Sequence, residues 1–486
     1  MKKYAVLIFL FTATPSVFSQ IPTDSIKAII KREVANKRSK SIIVGIVNTN
    51  GRQIFAEGKI SDSNTALPDG NTIYEIGSIT KVFTSLVLAD MSLKQELNLN
   101  DPISKFLPKT VKTPIRNGKE ISLLSLSTHR SGMPRFPYNV DPKNLDEPYA
   151  DYTVEKLYEY VSHFEPAFDI DSKWRYSNVA YGLLGNILTL VAKKDFETLI
   201  QEDIFKPLNL NNTVISLTKK QKSNLAVGHA ETGAVVGLTD LGAIGPGGSI
   251  RSNVNDLLTF AEANIGSIKT NLSPAMELTH VMQAKKDGND TFTTMGWTLV
   301  DENGKSYLFK DGGMPGYSSF LGIDKKNKIG VVVLSNSQNS VSDIGWHIMD
   351  ATHTIDSYKY PWTLLDTLRT TNKTKGTDAA IALYQKLKAS KNALFIFNEN
   401  QLDYLGNELR KEGKIKEAIK LLKLNVQEYP NSTLVYESLG EIYKRNKNPK
   451  TAISYFEKAR ELDPENQHWN YILEKLKNLQ KDKNNM

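Results

Sequence analysis

Three short patterns supply the residue types that acyl transfer needs: a hydroxyl nucleophile, groups able to move its proton, and a cation for an anionic substrate. Ser78 and Lys81 lie three apart in the run YEIGSITKVFTSLVLADM, just after Gly77 and at the start of a predicted helix with an apolar face of Val82, Phe83, Leu86 and Ala89. That spacing sends both side chains out from one face of the first turn. A serine hydroxyl is a weak nucleophile until a neighbouring base takes its proton. A lysine desolvated beside a helix N-terminus and near other cations has its pKa lowered towards that role, and the same N-terminus aims N–H groups at an oxyanion. A helix cap and a solvated helix lysine would use the same two residue types.

Tyr176 and Asn178 form the second pattern, after Trp174 and before the small apolar run 180–185. A phenol beside two lysines can ionise and act as general base, and the asparagine amide can grip a substrate carbonyl. A buried tyrosine and a helix-capping asparagine would look the same. The third is Lys310-Asp311-Gly312-Gly313, at the end of a predicted hairpin strand. Gly312 and Gly313 would let a substrate backbone lie along the strand edge while Lys310 holds an anionic group; a glycine-rich turn is the plainer reading. Each pattern also occurs elsewhere, at Ser216/Lys219, Tyr429/Asn431, Lys286/Gly288 and Lys411/Gly413, so context has to separate them. Ser216 has no preceding glycine and runs into the polar Lys220-Gln221-Lys222; Tyr429 ends a tail repeat; Lys286 sits in a polar loop.

The elements that must position these residues are legible from turn signals and periodicity. An amphipathic helix is expected over 21–36, then apolar strands at 41–47 and 53–58 joined at Asn50-Gly51. A second hairpin is expected from 296–300 and 307–310 around Asn303-Gly304, followed by strands at 319–323 and 329–334. Strands at both ends of a helical middle predict an antiparallel sheet flanked by helices, an α/β (α+β) domain over 20–360. The Pro- and Tyr-rich segment 136–152 reads as a long surface loop near the site.

Lys2 and Lys3 ahead of a short apolar run predict a cleavable leader over 1–19, and a periplasmic or secreted bacterial address. No later stretch is long and apolar enough to span a membrane. The formal charge of +8 falls to +6 when Lys2 and Lys3 leave, and it is spread without basic–aromatic blocks, which argues against a nucleic-acid partner. With no cysteine there is neither disulfide nor thiolate metal site, and no metal or cofactor is expected. From 361 to 486 the chain turns rich in Lys, Leu, Ala and Glu. There Gly406, Ala418 and Pro430 recur as Gly440, Ala452 and Pro464, a 34-residue period. Two repeats at about 399–432 and 433–466, with a flanking helix over 378–388, resemble tetratricopeptide repeats, which would pack on the rest of the chain or on a protein partner.

The order S-x-x-K, Y-x-N, K-x-G, with LSTHRSGMP at 126–134, Val227-Gly228-His229 and GPGGSIRSNVND at 245–256, resembles the class C β-lactamases, D,D-peptidases and related esterases. The resemblance covers roughly 21–351. It implies that Ser78 is acylated, that Lys81 and Tyr176 share proton transfer, that Asn178 orients the substrate, and that Lys310 faces its carboxylate. The N–H groups of Ser78 and Gly313 would form the oxyanion hole. The substrate would be a β-lactam or related amide, with a D,D-peptidase or ester activity on small-molecule or peptidoglycan-type acyl groups as the alternative, and a non-catalytic scaffold as another. Two departures stand out: Asp311 replaces the usual Thr or Ser, and Ile170-Asp171 replaces Pro-Gly before the tyrosine motif. His129 lies in a segment that the family uses structurally.

Overall fold

The computed structural model describes residues 23–484 except 145, 231–232, 287–289, 303, 356–363, 391–394, 396 and 465; the expected leader and the boundary near 360 lie outside them. Aliphatic and β-branched runs pair into one antiparallel eight-stranded sheet. In spatial order its strands are Gly51–Gly58, Ser41–Asn48, Ile329–Ser335, Tyr317–Asp324, Lys305–Met314, Thr298–Glu302, Thr291–Thr293 and Ala284–Lys285. Ile42 lies opposite Ser335, so the two sequence ends of the domain meet in the sheet, as expected. Alternate residues serve opposite faces. Ile42, Val44 and Ile46 join a small core with the helices Thr23–Ala35 and Ser342–Met349, and Ile43 and Val47 join the large core under the helical middle.

Two details differ from the sequence reading. Asn48 pairs with Gly51, so Thr49 and Asn50 form the first turn, and Gly51, at φ +106°, opens the returning strand instead of turning the chain. The helix Thr80–Leu93 has no solvent face over most of its length: every residue from Thr80 to Met91 is buried. It is a central helix, packed on all sides. The sheet also gains the short strands Ala284–Lys285 and Thr291–Thr293, which bring a polar segment to the site.

The tail is a stack of antiparallel helix pairs: Leu364–Lys375 with Thr377–Ala389, Glu399–Lys411 with Ile415–Glu428, and Thr433–Arg445 with Pro449–Leu462, followed by Gln467–Asn484. The repeat glycines let paired helices touch. A Cβ on Gly440 would sit 2.8 Å from the Phe456 ring, and one on Gly406 would sit 2.9 Å from Leu422. The last helix packs against the 136–152 segment, in which the described residues form no helix or strand. His468 Nδ1 donates to the Tyr138 carbonyl at 2.9 Å, Lys475 pairs with Asp141, and the Tyr138 and Tyr471 rings are 5.9 Å apart. Lys411 pairs with Asp146 from an earlier repeat. Among the described residues no helix is long and apolar enough to cross a membrane.

Candidate active site

Ser78 sits in a short 3₁₀ turn, Gly77–Ile79, that runs directly into Thr80–Leu93. The turn requires glycine at its first position: Gly77 has φ +50°, and a Cβ there would stand 2.9 Å from the Gly313 carbonyl oxygen. The strand end Gly312-Gly313 lies equally close. A Cβ on Gly312 would sit 2.1 Å from the Ile76 carbonyl oxygen and 3.0 Å from the Ser78 nitrogen. Ser319 Oγ fixes the same junction by donating to the Ile76 carbonyl at 2.8 Å. The strand edge therefore lies against the backbone that carries Ser78.

One turn further on, Lys81 is fully buried. Its Nζ donates to Ser78 Oγ at 3.2 Å, Asn178 Oδ1 at 2.8 Å and the Gly247 carbonyl at 2.6 Å. Burial pulls its pKa down, the Tyr176 phenolate holds it up, and Lys310 pushes it down again, leaving it at about 8. Tyr176 is the other partner of the serine, its hydroxyl 2.5 Å from Ser78 Oγ. Burial works to raise this phenol, but the charges of Lys310 and Lys81 and hydrogen bonds from Lys81 and Ser78 outweigh it, bringing the pKa to about 7. Lys310 is buried, with Nζ 4.9 Å from the Tyr176 ring centre.

The helix Asn178–Ala192 is capped by Ser177, whose Oγ accepts from the Ala180 N–H at 2.9 Å. Asn178 is thus not the cap, and its amide turns to Lys81. His129 is buried beneath the tyrosine: its ring centre is 4.4 Å from that of Tyr176, and its Nδ1 accepts from the Ser177 N–H at 3.1 Å. Burial and the lysine charges hold its pKa well below the usual histidine range, so it is a neutral support. The remaining family-like segments also brace the site. Gly247 ends the 3₁₀ segment Gly242–Gly247, Thr84 donates to the Pro246 carbonyl, and a buried Glu75–Arg251 ion pair of 2.9 Å ties the strand Tyr74–Glu75 to Arg251–Ser252. Asp171 keeps the left-handed turn that a glycine would favour, at φ +65°.

The structure therefore brings Ser78, Lys81, Tyr176, Asn178, Lys310, Gly312 and Gly313 together. The other motif copies lie apart: Ser216 Oγ donates to Glu197 at 2.6 Å, Tyr429 meets Tyr384 at 3.0 Å in the tail, and Lys411 pairs with Asp146. Lys286 is the exception. Its ammonium lies over the Trp174 ring, 4.2 Å from the centre, because its backbone N–H joins Thr291 across the added hairpin. Arg135, one residue beyond the 126–134 segment, places its guanidinium 5.3 Å from the Tyr176 ring centre. Arg135 has no local pattern to mark it, and Lys286 carries only the K-x-G match with Gly288 that its polar surroundings argue against; tertiary folding delivers both.

This architecture, an antiparallel sheet flanked by helices, is the fold of the class C β-lactamases. The sequence profile of the Beta-lactamase family matches residues 26–351, and the chain belongs to that family. A tetratricopeptide repeat profile matches residues 434–466. The chain is 26% identical over 303 residues to the D-alanyl-D-alanine-carboxypeptidase/endopeptidase AmpH of Escherichia coli (strain K12), covering 60% of this chain and 77% of that protein. It is 23% identical over 391 residues to a Beta-lactamase of the same organism, covering 72% of this chain and 100% of that one. Among solved structures, a class C β-lactamase from Rhodobacter sphaeroides superposes with a TM-score of 0.58 at 21% identity, covering 65% of this chain and 94% of that chain. A β-lactamase/D-alanine carboxypeptidase from Yersinia pestis gives 0.58 at 21% identity, covering 68% and 96%.

Proposed function

We propose that this protein is an exported serine hydrolase that cleaves a β-lactam or related amide through an acyl-Ser78 intermediate. The observation that carries the reading is the Ser78–Tyr176 hydroxyl contact of 2.5 Å beside two lysines that lower the phenol's pKa. Tyr176, as phenolate, takes the Ser78 proton while Oγ attacks the substrate carbonyl carbon. The N–H groups of Ser78 and Gly313 receive the oxyanion, with Asn178 orienting the acyl group. Tyr176 then returns its proton to the leaving nitrogen as the C–N bond breaks. In the second half, Tyr176 deprotonates water, which attacks the ester carbonyl, and Ser78 leaves with the proton. Lys81 stays charged throughout and stabilises the phenolate.

Asp311 favours a second reading. Its side chain is about half exposed, with Oδ1 3.9 Å from Lys310 Nζ, where it opposes a substrate carboxylate. D,D-peptidase or carboxylester hydrolysis fits that charge better than β-lactam cleavage. Turnover of a chromogenic cephalosporin, a D-Ala-D-Ala peptide and a p-nitrophenyl ester distinguishes the two, with Ser78→Ala expected to abolish all three. Normal turnover by that variant would sink the assignment. The tail repeats add a surface for a protein partner.

A further inference from the structure

Around the Ser78–Tyr176 pair the cleft gathers charge of one sign. Lys310 and Arg135 stand 4.9 Å and 5.3 Å from the Tyr176 ring centre. Lys286 stands 4.2 Å from the Trp174 ring centre, and the two rings are 6.2 Å apart. Against these three cations stands the carboxylate of Asp311, which already faces Lys310. Among the described residues neither Arg135 nor Lys286 forms an ion pair, and Lys286 donates a long bond of 3.4 Å to Thr298 Oγ1. Burial, then the charge of Lys310, pulls the Lys286 pKa down to about 8. A partly desolvated cation in that state gains from any anion placed on it.

Apart from the Lys81 ammonium and Tyr176 phenolate, which offset one another, three cations and one carboxylate leave two positive charges facing the substrate. We propose that Arg135 and Lys286 form a second anion subsite, so that the preferred acyl donor is a dicarboxylate: one carboxylate beside Lys310, the other on the shelf made by Trp174 and Tyr176. The inference rests on the Ser78 chemistry proposed above and names its substrate class. The cations, held against the aromatic faces of Trp174 and Tyr176, would favour a carboxylate over its neutral carboxamide by charge.

The test uses the full chain and two thioester acyl donors that share a C-terminal carboxylate. They differ at one position, a second carboxylate or its carboxamide. The dicarboxylate is expected to show about tenfold higher kcat/KM, as for a half-buried charge pair. Lys286→Met and Arg135→Met should each bring that ratio towards one, and rising salt should shrink it in the unsubstituted protein. Equal rates for the two donors, with Ser78 still labelled by an uncharged fluorophosphonate, would overturn the subsite alone. Loss of labelling and of all turnover would overturn the Ser78 reading and the subsite with it. If the two substitutions leave the ratio intact and instead shift the pH–rate profile, the cations serve only Tyr176 and the inference fails.

Discussion

Two groups beside one serine could each serve as its base, and the geometry assigns them different tasks. Lys81 is shared among Ser78, Asn178, the Gly247 carbonyl and the Tyr176 oxygen, whereas the Tyr176 phenol meets Ser78 directly and is brought to a pKa of about 7 by cations. Activity towards an uncharged ester should therefore rise with pH through about 7, as Tyr176 loses its proton, and fall above about 8, as Lys81 loses its own. Lys310 is the leading charge that lowers the phenol. Lys310→Met removes it, so the rising limb should move to higher pH; an unmoved limb would show that another group controls it. Tyr176→Phe should cost roughly 10²–10⁴-fold in kcat, with Ser78 still in place. The grouping of these residues was legible because Ser78 and Lys81 share one turn, and Tyr176 and Asn178 flank one helix start. Arg135 escaped because a lone cation in a loop has no periodicity to betray it, and Lys286, though part of a K-x-G match, read as a polar loop because the hairpin that turns it inward is not legible locally.

Between elements, the decisive contact is the strand Lys305–Met314 against the 3₁₀ turn before the central helix. Both strand and helix announce themselves in the sequence, through the apolar run Tyr307-Leu308-Phe309 and turn glycines for the one and an apolar helical face for the other. Their closeness does not, since it depends on how the sheet meets the helical layer. Gly312 measures it. A methyl group 2.1 Å from the Ile76 carbonyl oxygen cannot be absorbed by a flexible side chain, so the strand must withdraw from Ser78. Gly312→Ala should cost about 1–3 kcal/mol of stability, as overpacking does, and slow Ser78 labelling more than the stability loss explains. Thermal melts alongside labelling rates make the comparison. A variant with the unsubstituted melt and rate would place the strand farther from Ser78. The same reasoning explains the misplaced hairpin turn: Asn50-Gly51 marks a turn correctly, but the pairing of Asn48 with Gly51 sets its register.

Across the whole molecule, the tail, which in sequence could pack either on the rest of the chain or on a partner, is joined to the wall of the cleft. His468, Tyr471 and Lys475 hold Tyr138 and Asp141, and that segment directly follows Arg135, whose carbonyl accepts the Asn178 N–H at 2.9 Å. The chain of contacts runs from the last helix, through an irregular loop, to a residue touching Tyr176. Irregular segments keep a single conformation only where something outside them supplies the packing. Removing the ring contact and the ion pair together, as Tyr471→Ala with Lys475→Ala, should weaken the attachment by about 1–2 kcal/mol. Amide exchange over 136–144 should then quicken, and KM for an anionic substrate should rise severalfold as Arg135 loses its fixed position. Ser78 labelling by a small uncharged fluorophosphonate should stay within about twofold, because the Ser78–Lys81–Tyr176 contacts do not pass through the loop. Faster exchange with an unchanged KM would mean that the tail braces the loop without reaching the site, and unchanged exchange would remove the link altogether. A partner that competes for the last helix would act on the enzyme through the same loop, raising KM in the same way as the double substitution.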